Sequence, residues 1–200
     1  MTTMLSEIIH SLPLRWRTSS AWVETVLGNL DGFLSDHASC ERKAHAAAMM
    51  LVNRFPEYPE LQDRMIGLAR EELEHFHQVF RILRQRNITV GNDEVDSYVK
   101  QLLQHVRHPR HEHLLDRLML VALIEARSCE RFCMLADAMP NSDLKTFYVS
   151  FAIAESAHFP LFVDTAALIF GRKSADEALD RWLDIEAKIA SEIPYRATVH

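Results

Sequence analysis

An all-helical fold is predicted by three features of this 200-residue sequence. Chain-breaking residues are scarce, apolar positions recur near 3.6-residue spacing, and strand-like alternation is absent. With 5 Gly and 7 Pro, few positions can punctuate the chain, which favours long helices over many short strands. Apolar residues make up 48% and charged residues 25%, the balance of a folded globular chain rather than a disordered one. Two hundred residues allow a single domain over 1–200, slightly long for a minimal four-helix unit.

The elements follow from the punctuation. Residues 1–19 read as a short helix or arm ending in Pro13-Leu-Arg-Trp-Arg17. A helical stretch runs from about Ser20 to Arg54, with an expected break around Gly28 to Gly32. Phe55-Pro-Glu-Tyr-Pro59 stops it, because each Pro restricts the residue before it. A second helix covers about Glu60 to Arg86, and a shorter third one Asp93 to Val106, broken by His108-Pro-Arg. A fourth spans about His111 to Met139. Ser142 can cap a fifth that runs to Phe170, where Gly171 is a natural C-cap. A sixth covers about Ser174 to Glu192.

Several function classes recede at this stage. No apolar run reaches the roughly 18 residues that span a bilayer, and no basic stretch with an apolar h-region opens the chain. The expectation is therefore a cytoplasmic protein without a membrane partner. Three cysteines, Cys40, Cys129 and Cys133, do not make a disulfide framework. Cys129 and Cys133, one helical turn apart in an apolar helix, read as small buried hydrophobes. The formal charge of −6 is a poor global match for nucleic acid, so any such role needs a local basic patch.

One pattern occurs twice. Glu41 precedes Glu72-Leu-Glu-His75 by 31 residues, and Glu125 precedes Glu155-Ser-Ala-His158 by 30. On a helix, residues i and i+3 share a face, so each Glu-x-x-His offers a carboxylate and an imidazole to one point. A single such motif arises often by chance. Two of them, each preceded by a glutamate at nearly equal spacing, point to two helical hairpins joined by a long crossover. The stripes agree: Met65, Leu68, Ala69, Glu72, His75 and Val79 share one face, and Phe151, Ala152, Glu155, His158 and Phe162 another. Leu118, Val121, Ala122 and Phe132 surround Glu125, and Leu34, Ala38, Ala44 and Ala48 surround Glu41. A charge in the middle of an apolar face costs several kcal/mol unless a cation answers it, roughly 2–7 even for a neutral polar group. By the same reasoning Glu71, Glu74 and Glu130, which share faces with charged residues, read as solvated. His37 and His45 flank Glu41 by one turn; each reads as a surface residue or a hydrogen-bond partner of a ligand.

Four carboxylates and two imidazoles around two cations suit iron or manganese better than copper or zinc. Glu41, Glu72, His75, Glu125, Glu155 and His158 form the ligand set of ferritin-like di-iron and di-manganese proteins. The fold expectation is thus a ferritin-like four-helix bundle with a long crossover and additional N- and C-terminal helices.

A more specific resemblance rests on Asp36-His-Ala-Ser-Cys-Glu-Arg-Lys-Ala44, Leu68-Ala-Arg-Glu-Glu-Leu-Glu-His-Phe76, Ile124-Glu-Ala-Arg-Ser-Cys-Glu-Arg-Phe132 and Phe147-Tyr148 followed by Glu155-Ser-Ala-His-Phe159. These stretches, spread over about residues 15 to 165, resemble the ferritin-like tRNA hydroxylases that act on 2-methylthio-N6-isopentenyladenosine beside the anticodon. The resemblance implies that the six ligands bind two iron ions and that O2 is a co-substrate for hydroxylating the isopentenyl side chain. It further implies a tRNA anticodon loop as partner. No flavin or ferredoxin motif supplies the two electrons required, so an external reductase is implied as well. Pro160, directly after the second Glu-x-x-His, removes a helical N–H and predicts a kink near His158.

Candidate RNA contacts are Arg15, Trp16 and Arg17, then Arg81, Arg84 and Arg86, and the Arg107-His-Pro-Arg-His-Glu-His113 turn. The same ligand set would also serve a ferroxidase that stores iron or a di-manganese catalase.

Overall fold

The computed structural model describes residues 2–91 and 95–200 and is all-helical among them. Nine helices are described: α1 (Thr2–Ser11), α2 (Ser20–Gly28), α3 (Leu30–Arg54), α4 (Pro59–Gln85), α5 (Ser97–Leu103), α6 (Arg110–Ala138), α7 (Asp143–Glu155), α8 (His158–Phe170) and α9 (Arg172–Glu192). The chain divides into two compact units. One holds Met1–Val23, Asp96–Pro194 and His200; the other holds Glu24–Val95 and Tyr195–Val199.

The second of these is built on the α3–α4 hairpin. The expected break lies at Asn29, whose side chain accepts the Gly32 N–H and caps α3. Pro59 opens α4 at a position where a missing N–H costs nothing. Leu61, Met65, Leu68, Glu72, His75, Val79 and Leu83 recur every three or four residues, and all are buried. They pack against Phe33, Leu34, Ala38, Ala48 and Leu51 of α3, so truncating Leu34 or Leu68 to Ala would cost roughly 2–5 kcal/mol.

The other unit is organised by α6. Its buried residues run from Leu114 to Ala136 on every side of the helix, because α1, α7, α8 and α9 all pack against it. Burial from several directions leaves α6 no solvated stripe in its middle turns, where even Glu125, Arg127, Glu130 and Arg131 are buried. The N-terminal arm is held by this unit: Arg127 donates to the Trp16 carbonyl, and its guanidinium lies 5.2 Å from the Trp16 ring centre.

The fifth helix of the sequence reading is two helices. The chain turns at Ser156 and Ala157, inside the Glu155-Ser-Ala-His158 motif. Pro160 has no N–H to donate to the Ser156 carbonyl, and its ring crowds that carbonyl, so the helical ladder fails there. The stretch Asp143–Phe170 is long and apolar enough to cross a membrane by length and composition. The break divides it into helices of 13 residues each, about 20 Å, against the roughly 30 Å of a hydrocarbon core. The third helix is shorter than its periodicity suggests: Asp96 caps it through the Val99 N–H, and its expected start at Asp93 lies outside the described residues.

Candidate metal centre

Glu41 comes from α3 and Glu72 and His75 from α4. Ligand atoms of the three lie within 4.8 Å of one another, and all three residues are buried. His75 Nδ1 is 3.5 Å from Glu72 Oε2 and 3.8 Å from Glu41 Oε2. His37, one turn before Glu41, is fully buried, and its Nε2 lies 3.0 Å from Glu41 Oε1. Of the two open readings of His37, burial rules out the surface residue, and its Nε2 stands at ion-pair distance from Glu41. His45 instead places its ring Nδ1 2.7 Å from the Ala69 carbonyl and ties α3 to α4.

The second triad belongs to the other unit. Glu125 comes from α6, Glu155 ends α7 and His158 begins α8. His158 Nδ1 lies 3.0 Å from Glu155 Oε2 and 3.6 Å from Glu125 Oε2. Ligand atoms of these three are also within 4.8 Å of one another, and each residue is buried. The break after Glu155 does not scatter the motif, because the turn is short enough to keep both side chains on one side.

Each triad therefore gathers two carboxylates and one imidazole away from water. Removing carboxylates from water is costly unless a cation answers them. Oxygen-rich donors with one imidazole fit a hard or borderline divalent metal such as iron or manganese. Cys129 adds no thiolate: its hydrogen bond with Cys133, together with burial, raises its pKa far above the ordinary range.

The predicted solvent exposure of Glu130 is wrong. It is 1% exposed, and the equally buried Arg127 forms an ion pair with it. Arg127 also donates 2.7 Å to Glu186 Oε1, which accepts from Tyr98 Oη at 2.9 Å, while Thr18 donates 2.7 Å to Glu130 Oε2. Only neighbours distant in sequence, α9 and the N-terminal arm, make this face of α6 internal.

The candidate RNA contacts fall into two groups. Arg15 pairs with Asp180 and Asp184 of α9, Trp16 packs beneath Arg127, and Arg17 donates to the Leu12 carbonyl at 2.9 Å. Arg107 binds the fully buried Asp116 at 2.8 Å, where Arg181 and Trp182 also donate. Arg81 and Arg84 lie exposed on α4, and Arg86 bonds Asp31.

Fold and site together define an all-α, ferritin-like protein with buried carboxylate–histidine clusters. Residues 3–200 match the family described as tRNA-(MS[2]IO[6]A)-hydroxylase (MiaE), and the chain belongs to this family. It is 34% identical over 149 residues to the tRNA 2-(methylsulfanyl)-N(6)-isopentenyladenosine(37) hydroxylase of Pseudomonas putida, covering 74% of this chain and 72% of that one. The protein of the same name from Salmonella typhimurium is 30% identical, with 88% and 87% covered. Among solved structures, a Synechococcus protein with aldehyde deformylating oxygenase activity superposes with a TM-score of 0.88 at 32% identity, covering 94% of each chain.

Proposed function

We propose that this member of the family hydroxylates the isopentenyl side chain of 2-methylthio-N6-isopentenyladenosine in tRNA, acting as one ferritin-like domain over residues 1–200. In this reading Glu41, Glu72, His75, Glu125, Glu155 and His158 together hold two iron ions. The single observation that carries it is the doubled, buried Glu plus Glu-x-x-His triad in a chain of this family.

Iron held by these residues would supply the O2 activation needed to hydroxylate an allylic C–H bond. The balance is substrate C–H plus O2, two electrons and two protons, giving the alcohol and water. The chain itself holds no group that delivers those electrons by motif, so an external reductase is part of the proposal, and the cytoplasm is its setting. The protein's own residues bind, orient and shield. Four glutamates supply the anionic oxygens; His75 and His158 supply neutral donors; His37 stands 3.0 Å from one oxygen of Glu41. The buried apolar residues of the stripes, Met65 and Leu68 beside Glu72 and Phe151 and Phe162 beside Glu155 and His158, keep water from each triad.

The test is nucleoside analysis. Iron-loaded protein, a reductant and O2 are incubated with tRNA carrying the methylthio-isopentenyl modification, and the digested nucleosides are separated and weighed. A gain of one oxygen on that nucleoside is expected. Unmodified tRNA alongside rapid oxidation of free Fe²⁺ into a stored mineral would favour an iron-handling role instead.

A further inference from the structure

Helix α3 has two working faces. One carries Phe33, Leu34, His37, Ala38 and Glu41 into the hairpin interior. The neighbouring face presents Asn29, Gly32, Ser35, Asp36 and Ser39 to a pocket of about 610 Å³. Thr25, Gly91 and the C-terminal segment Arg196–Thr198 form its other walls. That volume lies within the usual range of ligand sites, roughly 300–1,000 Å³.

The pocket is built rather than incidental. The Val199 N–H donates 2.7 Å to Asp36 Oδ2, and Val199 itself is fully buried, which pins the C-terminal wall. The Gly91 N–H donates 2.8 Å to Ser35 Oγ, which pins another. A Cβ at Gly91 would sit 3.2 Å from that same Oγ, and one at Gly32 would strike the Asn29 side chain at 2.5 Å. Both glycines thus keep the backbone close and the floor open.

The lining has the chemistry of a sugar–phosphate site. Thr25, Ser39 and Thr198 bring hydroxyls, Arg196 a guanidinium and Asp36 a carboxylate, while the Ser35 hydroxyl is engaged with Gly91 and the Thr89 carbonyl. Hydroxyls and a guanidinium donate to phosphate oxygens, and a carboxylate accepts from a ribose hydroxyl. The described lining includes no aromatic ring on which a base would stack, so the backbone of the nucleic acid is the better fit. Position agrees. Asp36 and Ser39 precede the triad residue Glu41 by five and two residues, about 3–8 Å along the helix axis.

We infer that this pocket takes a ribose–phosphate segment of the RNA substrate, next to the nucleotide whose side chain is hydroxylated. The inference rests on the tRNA hydroxylase reading. It adds the C-terminal segment, with Arg196 as its charged member, to the candidate RNA contacts.

The experiment uses the full, iron-loaded chain and measures substrate tRNA binding over a range of salt. Variants are Arg196→Glu, which reverses the charge, and Thr25→Trp, which fills the pocket from its exposed rim. Each should weaken tRNA binding about tenfold, and Arg196→Glu should also make the log–log salt slope shallower by at least one unit. Iron content and slow hydroxylation of the free modified nucleoside should stay at the unsubstituted level. Unchanged tRNA binding in both variants would overturn the inference, as would loss of iron in both. Inorganic phosphate that binds the unsubstituted protein at sub-millimolar concentration, is lost from both variants and leaves tRNA binding unchanged would assign the pocket to free phosphate and overturn it too. Failure of the hydroxylase reading looks different: the unsubstituted protein would modify neither tRNA nor nucleoside, whatever the binding results.

Discussion

Helix α6 buries two glutamates five residues apart and provides for them in opposite ways. Glu130 is answered from within the fold by Arg127, which it shares with Glu186. Burial disfavours the Arg127 charge, yet Glu186, Tyr98 and Glu130 outweigh it and hold the guanidinium above its ordinary pKa. Glu125, five residues earlier, faces a second carboxylate, Glu155, and an imidazole, His158. An imidazole is charged only toward acidic pH and is neutral when it ligates a metal. A buried acid that brings its own arginine is structural. A buried acid gathered with another acid and a histidine is arranged for a cation from solution.

This contrast can be broken at its strongest point first. Arg127→Met leaves Glu130 and Glu186 without their shared cation and should cost about 3–5 kcal/mol in urea unfolding. The deficit should be the same with and without iron. A deficit confined to the iron-loaded form would erase the distinction between the clusters.

The metal side is sharpened by two isosteric changes on α6. Saturating iron should stabilise the unsubstituted protein by about 2.7 kcal/mol when free metal is a hundredfold above its dissociation constant. Glu125→Gln should remove most of that increment and leave the metal-free midpoint unchanged or higher. Glu130→Gln should keep the iron and lose roughly 1–3 kcal/mol, since it disrupts a buried charged network. Equal iron contents in the two variants would mean that α6 presents the wrong residue.

A third region extends the comparison to an acid with a histidine partner at the edge of the same unit. Burial raises the Asp96 pKa, but the hydrogen bond and charge of His200 and the Val99 N–H prevail and bring it to about 2, below the ordinary 3.8. A depressed carboxylate stabilises the fold above its unfolded pKa, and that contribution fades as pH falls from about 4 toward 2. Asp96→Asn should lower stability near pH 6 by about 1–2 kcal/mol and flatten the acid limb of the stability curve. An unchanged acid limb would remove Asp96 from the set of buried acids with resident partners. The smallest effect is at the surface. Arg15→Ala should scarcely alter tRNA binding because Arg15 is engaged with Asp180 and Asp184, whereas Arg84→Glu on exposed α4 should weaken it a few-fold. Filter binding at low salt separates the two.

The difference between these regions also marks what the sequence could disclose. The triads were legible because their chemistry is local: Glu72 and His75 are three residues apart on an amphipathic stripe, and the stripe is buried as its periodicity requires. The break before His158 was legible as a kink from Pro160, although the division into two helices was not. Glu130 was misread because its face of α6 is covered by α9 and the N-terminal arm, and no helical register reports on partners more than fifty residues away. Arg15 illustrates the same limit, since its carboxylate partners lie 165 and 169 residues further along the chain. The pocket beside α3 had no sequence signal, because its walls come from Thr25, Gly91 and the C-terminal segment.

The central claim of the proposed function is that the two triads, one on α3 and α4 and one on α6, α7 and α8, are the ligands of two iron ions. Metal analysis of anaerobically loaded protein tests it most directly, on the unsubstituted chain, Glu72→Ala and His158→Ala. About two irons per chain are expected for the first, and a loss of at least half that capacity in each variant, with folded helical content retained. Full occupancy in both variants, or no iron in the unsubstituted chain, would contradict the account.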